Sequence, residues 1–140
     1  MLVVDASVAC KWYLLEVDSA AACGLLESDH RLIAPELIVA EVCNAVWRRL
    51  NSGRIGAEQA RQTALEVIRA FDQLLPIGVF AARVLTIAEI LRHPVYDCFY
   101  LALAEEVAAP LVTADRRLVQ RVAGTEWSAR VTPLDQFRAQ

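Results

Sequence analysis

Short apolar runs alternate along the chain with longer segments in which apolar residues recur at helical spacing. Most of the short runs are uniformly apolar, which is typical of strands covered on both faces of a sheet. They predict strands at 2–5, 31–34, 75–79, 111–113 and 130–132. The longer segments predict helices near 6–14, 17–28, 36–51, 57–73, 80–92, 96–108 and 115–122. Helices that alternate with buried strands indicate an α/β fold, here one domain over residues 1–140 with a mostly parallel central sheet of four to five strands flanked by helices.

Composition narrows the functional classes without naming one. The net charge of −3 argues against bulk attraction to nucleic acid or to a membrane surface, so a polyanion would have to meet a local basic patch. The apolar share of 56% is somewhat above the usual value and leaves apolar surface for a partner. No apolar run approaches 18 residues, which predicts that nothing spans a membrane.

The cysteines and histidines suggest neither a zinc site nor a nucleophile. Cys10, Cys23, Cys43 and Cys98 are widely separated, a spacing that is wrong for zinc and indicates reduced thiols in a cytoplasmic protein. His30 and His93 are the only histidines, and neither is placed beside a candidate serine or cysteine. We interpret both as surface or turn residues.

Two predicted strands end in the same way, with an aspartate and a hydroxyl side chain two positions from it. "LVVDAS" brings Asp5 and Ser7 to the end of the first strand, and "LVTADRRL" brings Thr113 and Asp115 to the end of the fourth. Parallel α/β sheets bind ligands outside the carboxyl ends of their strands, where the strand order reverses. If the two strands are neighbours, Asp5 and Asp115 face one crevice.

Two further acids have two interpretations each. Glu41 and Asn44 share one face of the apolar helix predicted at 36–51. This face could be a polar stripe in contact with water, or it could be part of a polar site. Asp97 stands at the head of the helix predicted at 96–108, where it could be an N-cap or first-turn acid, or a functional carboxylate.

Taken together, the four acids suggest a metal site. Carboxylates about 5 Å apart repel each other by roughly 3 kcal/mol per pair at an effective dielectric constant of about 20. A crevice that gathers four of them requires a neutralising cation, and oxygen ligands without histidine or cysteine suit Mg²⁺ or Mn²⁺. Ser7 and Thr113 could orient the ligands or a bound water.

These motifs carry a resemblance to a known family. "LVVDAS", "LIVAEVCNAV", "YDCFYLALA" and "LVTADRRL", in this order and spacing, resemble the PIN-domain ribonucleases, and among them the VapC-type toxins of toxin–antitoxin pairs. The resemblance covers nearly the whole chain. It implies a PIN-like fold and a Mg²⁺-dependent endoribonuclease that cleaves RNA to 5′-phosphate and 3′-hydroxyl ends.

The resemblance also assigns residues and partners. It implies that Asp5, Glu41, Asp97 and Asp115 form the catalytic, metal-binding cluster, accompanied by Ser7, Asn44 and Thr113. Some relatives carry another acid after the last aspartate, where this chain has arginines. The expected partners are RNA, a cognate antitoxin whose tail lies across the crevice, and a second copy in a homodimer. The basic side chains that could contact RNA phosphates are Lys11, Arg48, Arg49, Arg92, Arg116 and Arg117.

Other functions remain as alternatives. A PIN fold that only binds a partner would have no nuclease activity, although such a scaffold gains nothing from clustered carboxylates. A PIN nuclease could also act in RNA processing outside a toxin–antitoxin pair. A haloacid-dehalogenase-type phosphatase requires a second aspartate two residues after the first, and that position is Ser7. A receiver domain requires a lysine near its end, and no lysine follows Lys11.

Overall fold

The computed structural model describes residues 1–137 and contains one five-stranded sheet. Its strands are β1 (Leu2–Val4), β2 (Leu32–Pro35), β3 (Gln73–Leu75), β4 (Leu111–Thr113) and β5 (Val131–Pro133). Their spatial order is β3-β2-β1-β4-β5, and every neighbouring pair is parallel. The α/β class and the parallel sheet of four to five strands flanked by helices are therefore confirmed.

Seven α-helices connect these strands within residues 1–137. They are α1 (Ala6–Ala9), α2 (Ser19–Leu26), α3 (Leu37–Asn51), α4 (Ala57–Arg69), α5 (Ala81–Leu91), α6 (Val95–Glu106) and α7 (Arg116–Val122). Short 3₁₀ turns lie at Cys10–Trp12, Gly78–Phe80, Ser128–Arg130 and Leu134–Gln136. None of the described helices combines the length and the apolar character needed to cross a bilayer.

The strands and α6 form the centre of the hydrophobic core. Val3 and Val4 of the middle strand are fully buried, as are Leu111 and Val112 of its neighbour β4. Helix α6 packs against β1, β2 and β4, and half of its residues are buried, namely Cys98 and the run from Tyr100 to Ala104. The three central strands β2, β1 and β4 are buried at every position, as their uniformly apolar sequences predict, whereas the edge strands β3 and β5 are partly exposed.

The third strand differs from its prediction. It occupies Gln73–Leu75 instead of 75–79, because Gln73 pairs with Ile33 and Leu75 pairs with Pro35 of β2. Pro76 follows directly, and the apolar residues after it form the 3₁₀ turn Gly78–Phe80. Helix α4 accordingly ends at Arg69, four residues before its predicted end. An apolar run without polar alternation does not distinguish a strand from the turn that follows it.

The strand order places the ends of β1 and β4 side by side. The chain passes from β1 outward to β2 and β3 and then returns across the sheet to pair β4 with the other edge of β1. Val3 pairs with Leu111 and Val4 with Val112, so the residues after the two strands emerge together. This is the reversal of strand order at which parallel sheets bind their ligands.

Candidate active site

The ends of β1 and β4 are joined by a network of hydroxyl and carboxylate hydrogen bonds around Asp5. Ser7 Oγ donates to Asp5 Oδ1 over 2.6 Å, and the backbone N–H of Val8 donates to the same oxygen over 3.2 Å. Thr113 Oγ1 donates to Asp5 Oδ2. The Ser7 hydroxyl also accepts the N–H of Ala114 at 2.9 Å. The hydroxyl residues that recur two positions from each aspartate therefore tie the two strand ends together.

Asp5 is a buried carboxylate with an altered affinity for protons. Only 4% of the residue is exposed. Burial raises the pKa of Asp5 to about 7, and the charge of Asp97 acts in the same direction, against the lowering effect of the hydrogen bonds from Ser7, Thr113 and the Val8 N–H. Ionising this group is therefore costly unless a positive charge lies close to it.

Glu41 faces the same region from α3. Its Oε2 accepts a hydrogen bond of 2.6 Å from the hydroxyl of Tyr100, a buried residue of α6. Partial burial raises the pKa of Glu41; the Tyr100 hydrogen bond lowers it and the charge of Asp97 raises it. Glu41 is therefore not a member of a freely solvated stripe, because it is half-buried and hydrogen-bonded to the core.

Asp97 lies in the first turn of α6 but does not cap the helix. The N-cap is Pro94, and no side chain caps this end. Asp97 Oδ2 instead lies 2.6 Å from Nε2 of His93. The interpretation of Asp97 as a capping residue is therefore wrong, although its first-turn position is as predicted.

Asp115 lies at the carboxyl end of β4, as the sequence predicts, and also caps the helix that follows. It is the second residue after β4 and is the N-cap of α7, where its Oδ1 accepts the backbone N–H of Arg117 at 2.8 Å. Its own N–H donates to Thr113 Oγ1 over 3.0 Å. The residue is partly exposed.

All four acids line one cavity of about 720 Å³. Ser7 and Asn44 line it as well, whereas Thr113 is fully buried and supports Asp5 from beneath. The predicted acidic cluster thus converges on one space, with its accompanying polar side chains in or directly behind the wall. The complete lining is Asp5, Ala6, Ser7, Cys10, Lys11, Glu16, Leu37, Ala40, Glu41, Asn44, Ala45, Arg48, Tyr96, Asp97, Ala114 and Asp115.

Only two of the six basic candidates line this cavity, namely Lys11 and Arg48. Lys11 Nζ is 3.1 Å from Glu16 Oε2, and Arg49 binds the other oxygen of the same carboxylate from outside the lining. Burial opposes ionisation of Glu16, but the hydrogen bonds from these two cations lower its pKa overall. Arg48 is an exposed cation without a salt bridge in residues 1–137.

The remaining three basic candidates lie outside the cavity lining. Arg92 ends α5 in a left-handed conformation with φ of 50°. Arg116 and Arg117 are exposed in the first turn of α7, and Arg116 lies 3.9 Å from Asp135. The structure therefore does not bring these three side chains together with the acids.

Sequence reasoning missed several residues of the site. His93 stands in the connection before α6, in agreement with its interpretation as a surface or turn residue, but its side chain is only 8% exposed and its contact with Asp97 was not predicted. Tyr100, Glu16 and the exposed Tyr96 were also not identified. Tyr100 follows Asp97 by three residues on a predicted helix, so helical spacing could have indicated that both face the site.

The donor atoms of the cavity suit a hard divalent cation. All four acids offer oxygen ligands, which Mg²⁺ and Mn²⁺ prefer. Within residues 1–137 no three histidine, cysteine or acidic side chains lie close enough together to hold a metal ion directly. Mg²⁺ commonly takes one or two protein carboxylates and keeps several waters. The cavity therefore fits Mg²⁺ with part of the cluster acting through water.

Comparisons with known proteins agree with this architecture. Residues 2–124 match the PIN domain family. The chain is 32% identical over 135 residues to Ribonuclease VapC3 of Pyrobaculum aerophilum, which covers 94% of this chain and 98% of the relative. It is 36% identical over 120 residues to Ribonuclease VapC9 of Mycobacterium tuberculosis, covering 84% and 88% of the two chains. These matches confirm the resemblance that the four motifs predict.

A solved structure shows the same fold. The crystal structure of PAE2754 from Pyrobaculum aerophilum superimposes with a TM-score of 0.71 at 25% sequence identity. The match covers 96% of this chain and 83% of the other.

Proposed function

The chain belongs to the PIN-domain family, and on that premise we propose that it is a Mg²⁺-dependent endoribonuclease, the toxin of a type II toxin–antitoxin pair. The observation that carries this proposal is the convergence of four carboxylates on one cavity at the reversal of strand order. The relatives named as VapC ribonucleases support it over most of the chain. We expect the protein to act in the cytoplasm, where RNA substrates are available.

Asp5, Glu41, Asp97 and Asp115 are the residues that would hold Mg²⁺ or Mn²⁺, directly or through water. When bound, the metal ion lowers the pKa of a water molecule and polarises a phosphoryl oxygen, which is the chemistry that phosphodiester hydrolysis requires. The chain's own contribution is to fix the carboxylates, since Asp5 is held by Ser7 and Thr113 and Glu41 by Tyr100.

Lys11 and Arg48 are the basic residues best placed to contact the RNA backbone, because they line the same cavity as the acids. Phosphate contacts of this kind position a nucleic acid without reading its sequence. Tyr96 is an exposed aromatic side chain beside Asp97 and offers a surface for base stacking, which single-stranded RNA commonly uses. We expect the other four basic candidates to contribute less.

The proposed protein partners are an antitoxin and a second copy of the chain. Leu15 and Val17 flank Glu16 at the cavity and are 92% and 79% exposed, so apolar surface is available there for a partner segment. A basic side chain of an antitoxin inserted among the four acids would neutralise them and exclude RNA. The homodimer is proposed from the family resemblance alone.

Cleavage of a panel of transfer, ribosomal and messenger RNAs by the purified chain tests the activity. We expect cleavage with Mg²⁺, 5′-phosphate and 3′-hydroxyl ends, and no cleavage with excess EDTA or with Asp5→Asn. Undiminished cleavage in EDTA, or full activity of Asp5→Asn, would contradict the metal-nuclease assignment. A folded chain that cleaves none of these RNAs would favour the interaction module.

Co-expression tests the toxin assignment separately. Induction of the chain in bacteria should arrest growth, and co-expression of the neighbouring small open reading frame should relieve the arrest and yield a complex. Light scattering should show a dimer of the free chain. RNA cleavage without a neighbouring inhibitor would instead indicate a nuclease that acts outside a toxin–antitoxin pair.

A further inference from the structure

His93 occupies a specific place beside the acidic cluster. It lies between the end of α5 at Leu91 and the start of α6 at Val95, and its side chain is 8% exposed. The preceding residue, Arg92, has a left-handed backbone conformation that turns the chain out of α5. The imidazole is thereby brought against the first turn of α6, with Nε2 at 2.6 Å from Oδ2 of Asp97.

This hydrogen bond engages only one oxygen of the carboxylate. A carboxylate accepts hydrogen bonds and donates none, so Nε2–H of His93 is the donor. Within residues 1–137, Asp97 has no other hydrogen-bond partner, and its Oδ1 is left unengaged in the cavity wall. Because the histidine ring is nearly buried, its hydrogen bond restricts the rotation of the Asp97 side chain.

We propose that His93 is a positioning residue that fixes Asp97 for metal binding by holding Oδ2, so that Oδ1 is available to the cation or to one of its waters. This inference rests on the proposed metal-dependent function. Two other acids of the cavity are held in a comparable manner, Glu41 by the hydroxyl of Tyr100 and Asp5 by Ser7 and Thr113. Such hydrogen bonds to a ligand side chain set its orientation, and their loss typically weakens metal binding about 10–100-fold.

A set of variants separates this role from simple packing. His93→Phe keeps an aromatic ring in the turn but removes the donor. His93→Gln places an amide N–H near the position of Nε2 and should restore the hydrogen bond. His30→Phe is the matched control at the only other histidine, which packs edge-on against Phe137 and does not line the cavity.

The measurement is the affinity for Mn²⁺ alone, obtained by titration at one fixed pH with electron paramagnetic resonance of the free ion. Thermal melting in EDTA identifies the variants that are folded. We expect His93→Phe to bind Mn²⁺ at least about 10-fold more weakly than the parent. His93→Gln should stay within about threefold of the parent, which is below the range typical of a lost partner. His30→Phe should bind Mn²⁺ as the parent does.

Two results would overturn the proposal. Equal Mn²⁺ affinity of folded His93→Phe and the parent would show that the hydrogen bond does not position a ligand. Equally weak binding by folded His93→Gln and His93→Phe would show that the donor is not what matters. A parent protein that does not bind Mn²⁺ would overturn this proposal together with the proposed function, whereas failure confined to the variants leaves the proposed function intact.

Discussion

Replacement of Asp5 by asparagine should make the metal-free protein more stable, and increasingly so as the pH rises. Asparagine has nearly the shape of aspartate and can still accept the N–H of Val8 that Asp5 Oδ1 accepts at the start of α1. The substitution therefore removes the ionisable group while it keeps the helix cap. Asparagine has an amide NH₂ in place of Oδ2, which accepts the Thr113 hydroxyl, but this loss is the same at every pH. What changes with pH is the cost of a buried negative charge.

The magnitude follows from the pKa of Asp5, which burial raises from 3.8 to about 7. Between these values the folded protein retains a proton that the unfolded chain has released, so the unfolded state binds fewer protons and stability falls with increasing pH. The contribution is complete below the unfolded pKa and is lost as the pH rises through the folded pKa. Each pH unit in this window corresponds to about 1.4 kcal/mol, so the parent should lose about 3 kcal/mol between pH 5 and pH 8.

Urea unfolding in EDTA, followed at pH 5 and at pH 8, measures this effect. Because Asp5→Asn lacks the titrating group, its advantage in unfolding free energy over the parent should grow by about 3 kcal/mol between the two pH values. With an m-value of roughly 1–3 kcal/mol per molar urea, the gap between the two midpoints widens by about 1 M or more. The same variant should lose Mg²⁺-dependent RNA cleavage.

Asp115→Asn is the matched control. It makes the same substitution at a second aspartate that is an N-cap and lines the same cavity, but Asp115 is partly exposed. If the unfolding free energies of the parent and of Asp5→Asn change by the same amount between pH 5 and pH 8, the assignment of Asp5 as a carboxylate whose ionisation is disfavoured by burial is refuted. If Asp115→Asn shows the same growing advantage, general repulsion among the acids accounts for the effect.

Three further predictions test other parts of the cavity. Asp97→Asn should lower RNA cleavage at least about 100-fold, which corresponds to about 2.7 kcal/mol of lost transition-state stabilisation. Its melting temperature in EDTA should stay level or rise, because Asp97 does not cap α6. A variant that melts earlier but cleaves RNA at the parental rate per folded molecule would contradict this prediction. Tyr100→Phe removes a hydrogen bond that lowers the pKa of Glu41, so the acidic limb of the pH–rate profile should move to higher pH, and an unchanged profile would exclude Glu41 from the titration. Arg48→Gln should raise KM and reduce the salt dependence of RNA binding by about one phosphate contact, whereas the same change at Arg69, which is exposed on α4 and outside the cavity lining, should do neither.

The sequence was sufficient to predict the parts of the site that depend on local pattern. A uniformly apolar strand followed by an aspartate predicts where the carboxylate lies relative to the sheet, and this holds at Asp5 and Asp115. The two carboxylates then meet at one ligand-binding crevice provided that β1 and β4 are neighbours in the sheet. The spacing of Glu41 and Asn44 on α3 likewise predicts that they share one face of the helix, because helical periodicity is a local property, and in the structure that face lines the cavity.

The contacts that hold the carboxylates depend on pairings that a local pattern does not contain. Tyr100 and Glu41 are separated by 59 positions, and Thr113 and Asp5 by 108. Whether a polar side chain in an apolar helix is buried against a partner or lies in water is decided only when the helices pack. His93 is only four positions from Asp97, but it precedes Pro94 and lies outside the helix, so helical spacing does not predict their contact.

The structure also shows which of the acids cap a helix, a role that the sequence alone does not distinguish from a functional one. Asp5 and Asp115 are N-caps of α1 and α7, so a structural benefit offsets part of the cost of placing a carboxylate at each position. Asp97 lies in the first turn of α6 but does not cap it, since the N-cap is Pro94. Within residues 1–137 its side chain is hydrogen-bonded to His93 and to no backbone N–H. Its charge instead raises the pKa of both Asp5 and Glu41, which disfavours their ionisation. Because Asp97 caps no helix, Asp97→Asn tests the proposed metal site more directly than a substitution at either N-cap aspartate.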